Sequence, residues 1–151
     1  MHEIKNRVDI QLKNKVAIIT GASIGIGAAT ARKLSSHGMN VVMIARRKER
    51  LELLAEEIHA TGGSAEVIEG DLSREDDRWR IYEHVTRSTG SPEILINNAG
   101  FGWYGYGADI PLPMALQMVQ VNVSAVVHLT LLFLRDMIQQ NRGHIINIGS
   151  V

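Results

Sequence analysis

The sequence predicts an α/β protein in which a parallel sheet carries helices on both faces. Short apolar runs alternate along the chain with longer segments of helical periodicity. The runs are almost continuously apolar, which is typical of strands buried on both faces of a parallel sheet. The intervening segments can form right-handed crossovers, and no linker or change in composition divides the chain. We therefore predict one doubly wound domain.

The first part of the chain supplies a polar arm, two strands and the helix between them. Residues 1–13 are polar and are predicted to be a flexible N-terminal arm before a domain over residues 14–151. The apolar run Lys15–Thr20 predicts the first strand. A helix follows and ends at the glycine cap Gly38. The run Asn40–Ala45 predicts the second strand.

Two further helices flank the third strand. Apolar residues recur at i, i+3, i+4 and i+7 from Leu51, and this helix ends at Gly62 and Gly63. The segment AEVIEGDLS contains the third strand and then a turn. Ser73, with Asp76 three residues later, is typical of a helix N-terminus. The buried face of that helix is predicted to carry Trp79, Tyr82 and Val85.

The last part of the chain contains a fourth strand, EILINNAG, which ends in polar residues, and a loop rich in glycine and aromatic residues. A long helix and a fifth strand, HIINIGS, follow. The helix is predicted over residues 112–140. It is apolar enough to raise the question of a membrane span. However, its polar residues, among them Asn122, His128 and Asp136, favour a helix buried inside protein. We therefore predict no transmembrane segment.

The composition excludes several classes of function. Lys plus Arg and Asp plus Glu both number 16, so no net charge draws the chain to nucleic acid. There are no cysteines, and the histidines lack metal-site spacing, so no metal site is predicted. The N-terminus has no apolar core of the secretory kind. We expect a cytoplasmic protein.

The segment TGASIGIG follows the first strand and opens the first helix. Glycines at 21, 25 and 27 let the backbone approach a pyrophosphate, and the helix N-terminus offers free N–H groups. An ordinary strand-to-helix turn would have the same glycines. The position within a βαβ unit favours nucleotide binding and a Rossmann-type sheet with strand order 3-2-1-4-5. The candidate contacts are Gly21, Ser23, Ile24, Gly25, Ile26 and Gly27.

The second strand is followed directly by Arg46 and Arg47. In dinucleotide-binding folds an acidic residue at this point holds a ribose 2′-hydroxyl, whereas an arginine accommodates a 2′-phosphate. Guanidinium groups bind phosphate through paired, charge-assisted hydrogen bonds. The alternative is that either arginine is only a solvated start of the next helix. The sequence favours NADP over NAD as the cofactor.

Five motifs in order resemble the short-chain dehydrogenase/reductase family: TGASIGIG, GDL, NNAG, Asn122 and GHIINIGS. The resemblance covers nearly the whole chain after the arm. It implies an NADP(H)-dependent oxidoreductase that transfers hydride between nicotinamide and a carbonyl or alcohol substrate. It also implies cofactor contacts by Asp71, Leu72, Asn98, Ala99, Gly100 and Val121. Asp71 could instead be a simple turn residue, and Val121 could instead serve only in helix packing.

The resemblance assigns two catalytic candidates, Asn122 and Ser150. Asn122 would help hold a proton-relay water and bend its helix, although a core asparagine satisfied by other partners is the alternative. Ser150 matches the family serine that hydrogen-bonds the substrate oxygen. The family's Tyr-x-x-x-Lys motif, which supplies the proton, would lie beyond Val151. We therefore expect an N-terminal piece of a longer protein, inactive by itself.

Two other functions stay open beside the reductase. The chain could be a non-catalytic module that binds NADP, or a module for subunit interaction. Family members commonly oligomerise through the long helix, so the resemblance implies a homo-oligomer built on residues 112–140. The loop with Trp103, Tyr104 and Tyr106 is either a wall of a substrate pocket or a solvent-exposed loop. His128 is predicted to be a packed or interface histidine.

Overall fold

The computed structural model describes residues 11–149 of the chain. Its strands are β1 Val16–Thr20, β2 Asn40–Ala45, β3 Ser64–Glu69, β4 Ile94–Asn97 and β5 His144–Asn147. Its helices are α1 Gly25–Ser36, α2 Lys48–Ala60, α3 Glu75–Ser88, α4 Leu112–Val119 and α5 Ala125–Gln139. A π-helical turn, Gln120–Ser124, joins α4 to α5.

The strands form one parallel sheet in the order β3-β2-β1-β4-β5. This confirms the predicted fold class and strand order. The first connections run outward from β1 to β2 and β3, and the chain then returns to the other side of β1. The connections that follow β1 and β4 therefore lead to opposite faces of the sheet, and ligands bind at such a place in open α/β sheets.

Each face of the sheet has its own hydrophobic core. On one face Ile19 and Met43 pack with Ala31 of α1 and Leu51 of α2. On the other face β-strand residues pack against α3 and α5, and this core includes Ile18, Ile44, Leu95, Ile81, Leu129 and Phe133. Alternate residues of the same strand thus point into opposite cores, which explains why the strands read as continuous apolar runs.

Two predictions about local structure were wrong. Residues 11–13 do not belong to a flexible arm, because Leu12 packs against a core and accepts a hydrogen bond from the Lys15 amide. The rest of the predicted arm lies outside the described residues. The N-terminus of α3 is not capped by Ser73, since its N-cap is Arg74 without a side-chain bond. Ser73 instead donates to the Asp71 carboxylate.

The predicted long helix runs from Leu112 to Gln139 and contains the π-helical turn. Together, Leu112–Gln139 are long and apolar enough to cross a membrane, which is weak evidence for a span. Leu129, Phe133 and Met137 pack in the core beneath the sheet. The opposite side of the helices exposes Leu116, Val123, Val127 and Leu131. The absence of a transmembrane segment stays a prediction.

Candidate functional site

A cavity of about 230 Å³ opens at the carboxyl ends of β1, β2 and β4. It lies where the direction of strand succession reverses, as expected for a nucleotide site in this architecture. Most of the predicted cofactor residues surround it. The lining comprises Gly21, Ser23, Ile24, Ile44, Ala45, Arg46, Arg47, Gly70, Asp71, Leu72, Asn98, Ala99, Gly100, Phe101 and Val121.

The first wall of the cavity is the turn between β1 and α1. Gly21 has φ +66°, and a Cβ there would lie 2.8 Å from the Ala99 Cα. The turn therefore requires glycine both for its backbone conformation and for its close approach to the loop after β4. No side chain caps the N-terminus of α1, so its first amides keep donors available at the edge of the cavity.

Ser23 and Ile24 also line the cavity, whereas the predicted residues Gly25, Ile26 and Gly27 do not. Gly25 has φ +59°, and a Cβ there would meet nothing within 4 Å. Ile26 is exposed. Gly27 instead packs inside the turn, since a Cβ would lie 2.5 Å from the Gly21 carbonyl oxygen and 2.6 Å from Asn98 Nδ2. The glycines of one motif therefore have different physical roles.

Thr20 ties the two loops at the carboxyl ends of β1 and β4 together. Its buried Oγ1 accepts hydrogen bonds from the Asn98 and Ala99 amides at 2.9 and 3.0 Å. The same hydroxyl donates to the Ile96 carbonyl oxygen at 3.3 Å. Asn98 Nδ2 in turn donates to the Thr20 carbonyl oxygen. These bonds fix the floor of the cavity.

Both arginines after β2 border the cavity and are exposed at its mouth. Arg47 Nη2 donates to Ser23 Oγ at 3.3 Å, so one guanidinium reaches across to the first glycine-rich turn. Arg46 also borders a neighbouring surface depression with Asp77 and Arg80. Guanidinium groups placed in this way can neutralise and bind a phosphate that projects from the cavity.

The Gly70–Leu72 loop after β3 forms the wall opposite the turn. The Asp71 amide donates to Asp77 Oδ2 at 2.7 Å, and Asp71 Oδ1 accepts from the Ser73 amide at 3.0 Å. Burial by itself would raise the pKa of Asp77, but the Asp71 amide and the Arg80 guanidinium together lower it. Asp71 therefore shapes a turn and also lines the cavity.

Asn122 lies in the π-helical turn and is exposed, so the alternative of a core asparagine was wrong. Its Oδ1 accepts from the Phe101 amide at 3.1 Å, and its Nδ2 donates to the Phe101 carbonyl oxygen at 2.8 Å. These paired bonds hold the loop after β4 against the helix. Such π-turns are frequent at functional sites. The catalytic role of Asn122 stays a prediction.

The remaining candidates are Ser150, the two tyrosines of the loop after β4, and His128. Ser150 is outside the described residues. Tyr104 and Tyr106 are 97% and 82% exposed, so their loop projects into solvent. His128 packs edge-on against Trp79, which confirms a packed histidine. Residues 11–149 contain no group of three or more acidic or histidine residues that could hold a metal ion.

Sequence reasoning missed some lining residues that a simple rule would have found. Ile44 and Ala45 are the last residues of β2, and Gly70 directly follows β3. Phe101 directly follows the NNAG segment after β4. All of them occupy the carboxyl ends of parallel strands, where ligands bind in open α/β sheets.

Comparison with known proteins places the chain in a family. The model of the short chain dehydrogenase family matches residues 15–151. A short chain dehydrogenase of Pseudocercospora fijiensis is 39% identical over 143 residues, which cover 93% of this chain and 46% of the relative. The chain thus spans about half the length of that relative.

Solved structures give the same result. A metagenomic short-chain oxidoreductase in complex with NADP superposes with a TM-score of 0.90 at 42% identity, over 93% of this chain and 64% of the other. A xylitol dehydrogenase with bound NAD⁺ has a TM-score of 0.85 at 30% identity, over 93% and 54%. With its motifs, sheet order and cavity, the chain belongs to the short-chain dehydrogenase family of oxidoreductases.

Proposed function

We propose that this chain is the cofactor-binding part of an NADP(H)-dependent oxidoreductase. When bound, the cofactor would supply or accept the hydride exchanged with a carbonyl or alcohol substrate. The residues of this chain would bind and orient it. The observation that carries the proposal is the pair Arg46 and Arg47 at the mouth of a cavity of about 230 Å³.

The donor set of the cavity fits a dinucleotide phosphate. The uncapped N-terminus of α1 offers amide donors for a pyrophosphate, and Gly25 leaves open space where a Cβ would otherwise stand. Asp71 and Leu72 would border the adenine, while Asn98, Ala99, Gly100 and Val121 would border the nicotinamide half. Relatives with NADP and with NAD⁺ both exist. Our preference for NADP therefore depends on the arginines.

Replacing Arg46 or Arg47 by alanine is expected to weaken NADPH binding about tenfold and leave NADH binding nearly unchanged, because a charge-assisted hydrogen bond contributes about 1.5–3 kcal/mol. Titration of NADPH and NADH, followed by cofactor fluorescence, measures both affinities. Arg50→Ala is the matched control, since Arg50 is exposed and does not line the cavity. An unchanged NADPH preference in both variants would contradict the cofactor assignment.

Ser150 and Asn122 are our catalytic candidates. A serine can polarise a substrate oxygen, and Asn122 can hold the loop and a water beside it. Neither group supplies a proton donor with a tuned pKa, and these 151 residues contain no Tyr-x-x-x-Lys sequence. A polypeptide of only these residues is therefore expected to bind NADPH without oxidising it when small or lipid-like carbonyls are added. Sustained loss of absorbance at 340 nm, at about one turnover per second or faster, would refute this expectation.

A subunit-interaction role is supported by an independent observation. The outer side of α4, the π-turn and α5 exposes an apolar stripe that includes Leu116, Val123, Val127 and Leu131. Contiguous exposed apolar surface of this kind is typical of protein interfaces. We propose that a second copy of the chain covers it, which is compatible with oxidoreductase function. The molar mass of the protein in solution shows whether two copies of the chain associate. We still predict that the protein is cytoplasmic.

A further inference from the structure

A buried guanidinium lies behind the wall of the cavity that carries Asp71 and Leu72. Arg78 of α3 is only 4% exposed. Its Nη1 donates to the Leu72 carbonyl oxygen at 2.6 Å, and its Nε donates to His128 Nδ1 at 3.0 Å. Both acceptors are uncharged groups. A buried cation is tolerated only when its donors are satisfied, so each of these bonds matters to the local structure.

The guanidinium joins elements that are far apart in the sequence. Leu72 lines the cavity, Arg78 belongs to the first half of α3, and His128 belongs to α5. The His128 ring is further fixed by edge-on packing against Trp79, with 5.3 Å between ring centroids. Arg78 therefore links the Gly70–Leu72 loop to α5, on the face of the sheet that α3 and α5 cover.

The bond to His128 requires one protonation state of the imidazole. Arginine has only donors and stays charged, so His128 Nδ1 must be unprotonated, with the ring proton on Nε2. In the protonated imidazole both nitrogens are donors, and the ring would then oppose the guanidinium. Burial and the adjacent Arg78 charge lower the pKa of His128 below its ordinary value of 6.5, while Glu75 partly opposes them.

The sign of the resulting pH dependence follows from that lowered pKa. The folded state favours neutral His128, so the contact is intact at neutral and higher pH. It is lost as the pH falls through the folded-state pKa, below 6.5. Among the described residues, the charged groups that act on the ring are Arg78 and Glu75 of α3. Glu75 favours protonation of His128, whereas the Arg78 guanidinium, which donates a hydrogen bond to His128, opposes it.

We propose that Arg78 and His128 are positioning residues that fix the Gly70–Leu72 wall of the cavity, and that protonation of His128 releases this wall. Neither residue contacts the cavity itself, so both act through the Leu72 carbonyl oxygen and the backbone around it. The consequence for cofactor affinity rests on the proposed function. With that function, NADPH binding weakens on acidification through a group behind the adenine side of the site.

The first test measures the loop without any cofactor. His128→Leu removes the acceptor, whereas His128→Asn keeps an acceptor oxygen near the position of Nδ1 and cannot be protonated in this pH range. We expect the Asp71 and Ser73 amides to exchange with solvent about tenfold faster in His128→Leu than in the wild type at neutral pH, about 1.4 kcal/mol. In His128→Asn they should exchange at the wild-type rate. Equal exchange rates in all three proteins would overturn the proposal.

The second test compares the pH dependence of NADPH affinity between about pH 5 and 8. The wild type is expected to lose about tenfold in affinity on acidification beyond the loss seen in His128→Asn. An identical pH profile for these two proteins would overturn the proposal, and this comparison remains decisive if His128→Leu fails to fold. A wild type that does not bind NADPH at any pH would instead contradict the proposed function. Amide exchange at acid pH, compared between the wild type and His128→Asn, would then test whether Arg78 and His128 position the loop.

Discussion

Substitution of Thr20 by valine is expected to lower the free energy of unfolding by about 3 kcal/mol and to abolish tight NADPH binding. Valine has nearly the same shape as threonine, so the packing around β1 is kept. The Asn98 and Ala99 amides lose the hydroxyl acceptor that they share, and the Ile96 carbonyl oxygen loses its donor. Buried groups left without a partner are costly. Denaturant unfolding and NADPH titration measure the two effects.

Thr20→Ser is the matched control for this substitution. Serine keeps the hydroxyl and removes only a methyl group, so the bonds to Asn98 and Ala99 can persist. We expect it to bind NADPH within a factor of about three of the wild type and to lose about 1 kcal/mol of stability through the missing methyl. If the valine and serine variants lose the same stability, the hydrogen bonds of Thr20 are not what holds the two loops together.

Replacing Gly27 by alanine is expected to weaken NADPH binding by about tenfold or more and to lower the melting temperature. The added Cβ would lie 2.5 Å from the Gly21 carbonyl oxygen and 2.6 Å from Asn98 Nδ2, so the turn and the loop after β4 must move apart. Such overpacking costs about 1–3 kcal/mol. Alanine favours a helix over glycine by about 1 kcal/mol, which opposes the loss only in part.

Gly107→Ala provides the control, because a Cβ at Gly107 would meet nothing within 4 Å and its φ lies outside the left-handed region. It tests whether any glycine substitution near the loops perturbs binding. We expect its NADPH affinity and melting temperature to equal those of the wild type. A Gly27→Ala variant as stable and as tight-binding as the Gly107→Ala variant would show that the turn is not closely packed.

Much of the fold could be predicted because it depends on short-range patterns. The apolar runs of β1, β2 and β4 each identify a strand, and the crossover rule then limits how the strands can be ordered. The glycines of TGASIGIG identify the turn beside the cavity. Arg46 and Arg47 were identified by their position at the end of a strand, and both line the cavity. In each case the backbone geometry near the motif determines its position.

The predictions that failed concern polar residues whose partners are distant in the sequence. The spacing of Ser73 and Asp76 is typical of a helix cap. In the structure, however, the Asp71 amide donates to the Asp77 carboxylate, and the Ser73 amide donates to the Asp71 carboxylate. The predicted inner face of α3 included Trp79, which is 43% exposed, and omitted Arg78, which is 4% exposed. An arginine in a helix is normally solvated, so its burial cannot be read from periodicity alone.

The class of the sheet, the glycine-rich turn and the cationic residues after β2 follow from the amino-acid sequence, because each depends on backbone conformation and spacing over a few residues. Which glycine packs and which faces open space depends on contacts between distant segments. Tertiary packing also determines that Asn122 clamps Phe101, and that Arg78 reaches His128 fifty positions away. Such hydrogen bonds form only after the helices have packed on the sheet, since buried polar groups take whichever partners the completed core brings within reach.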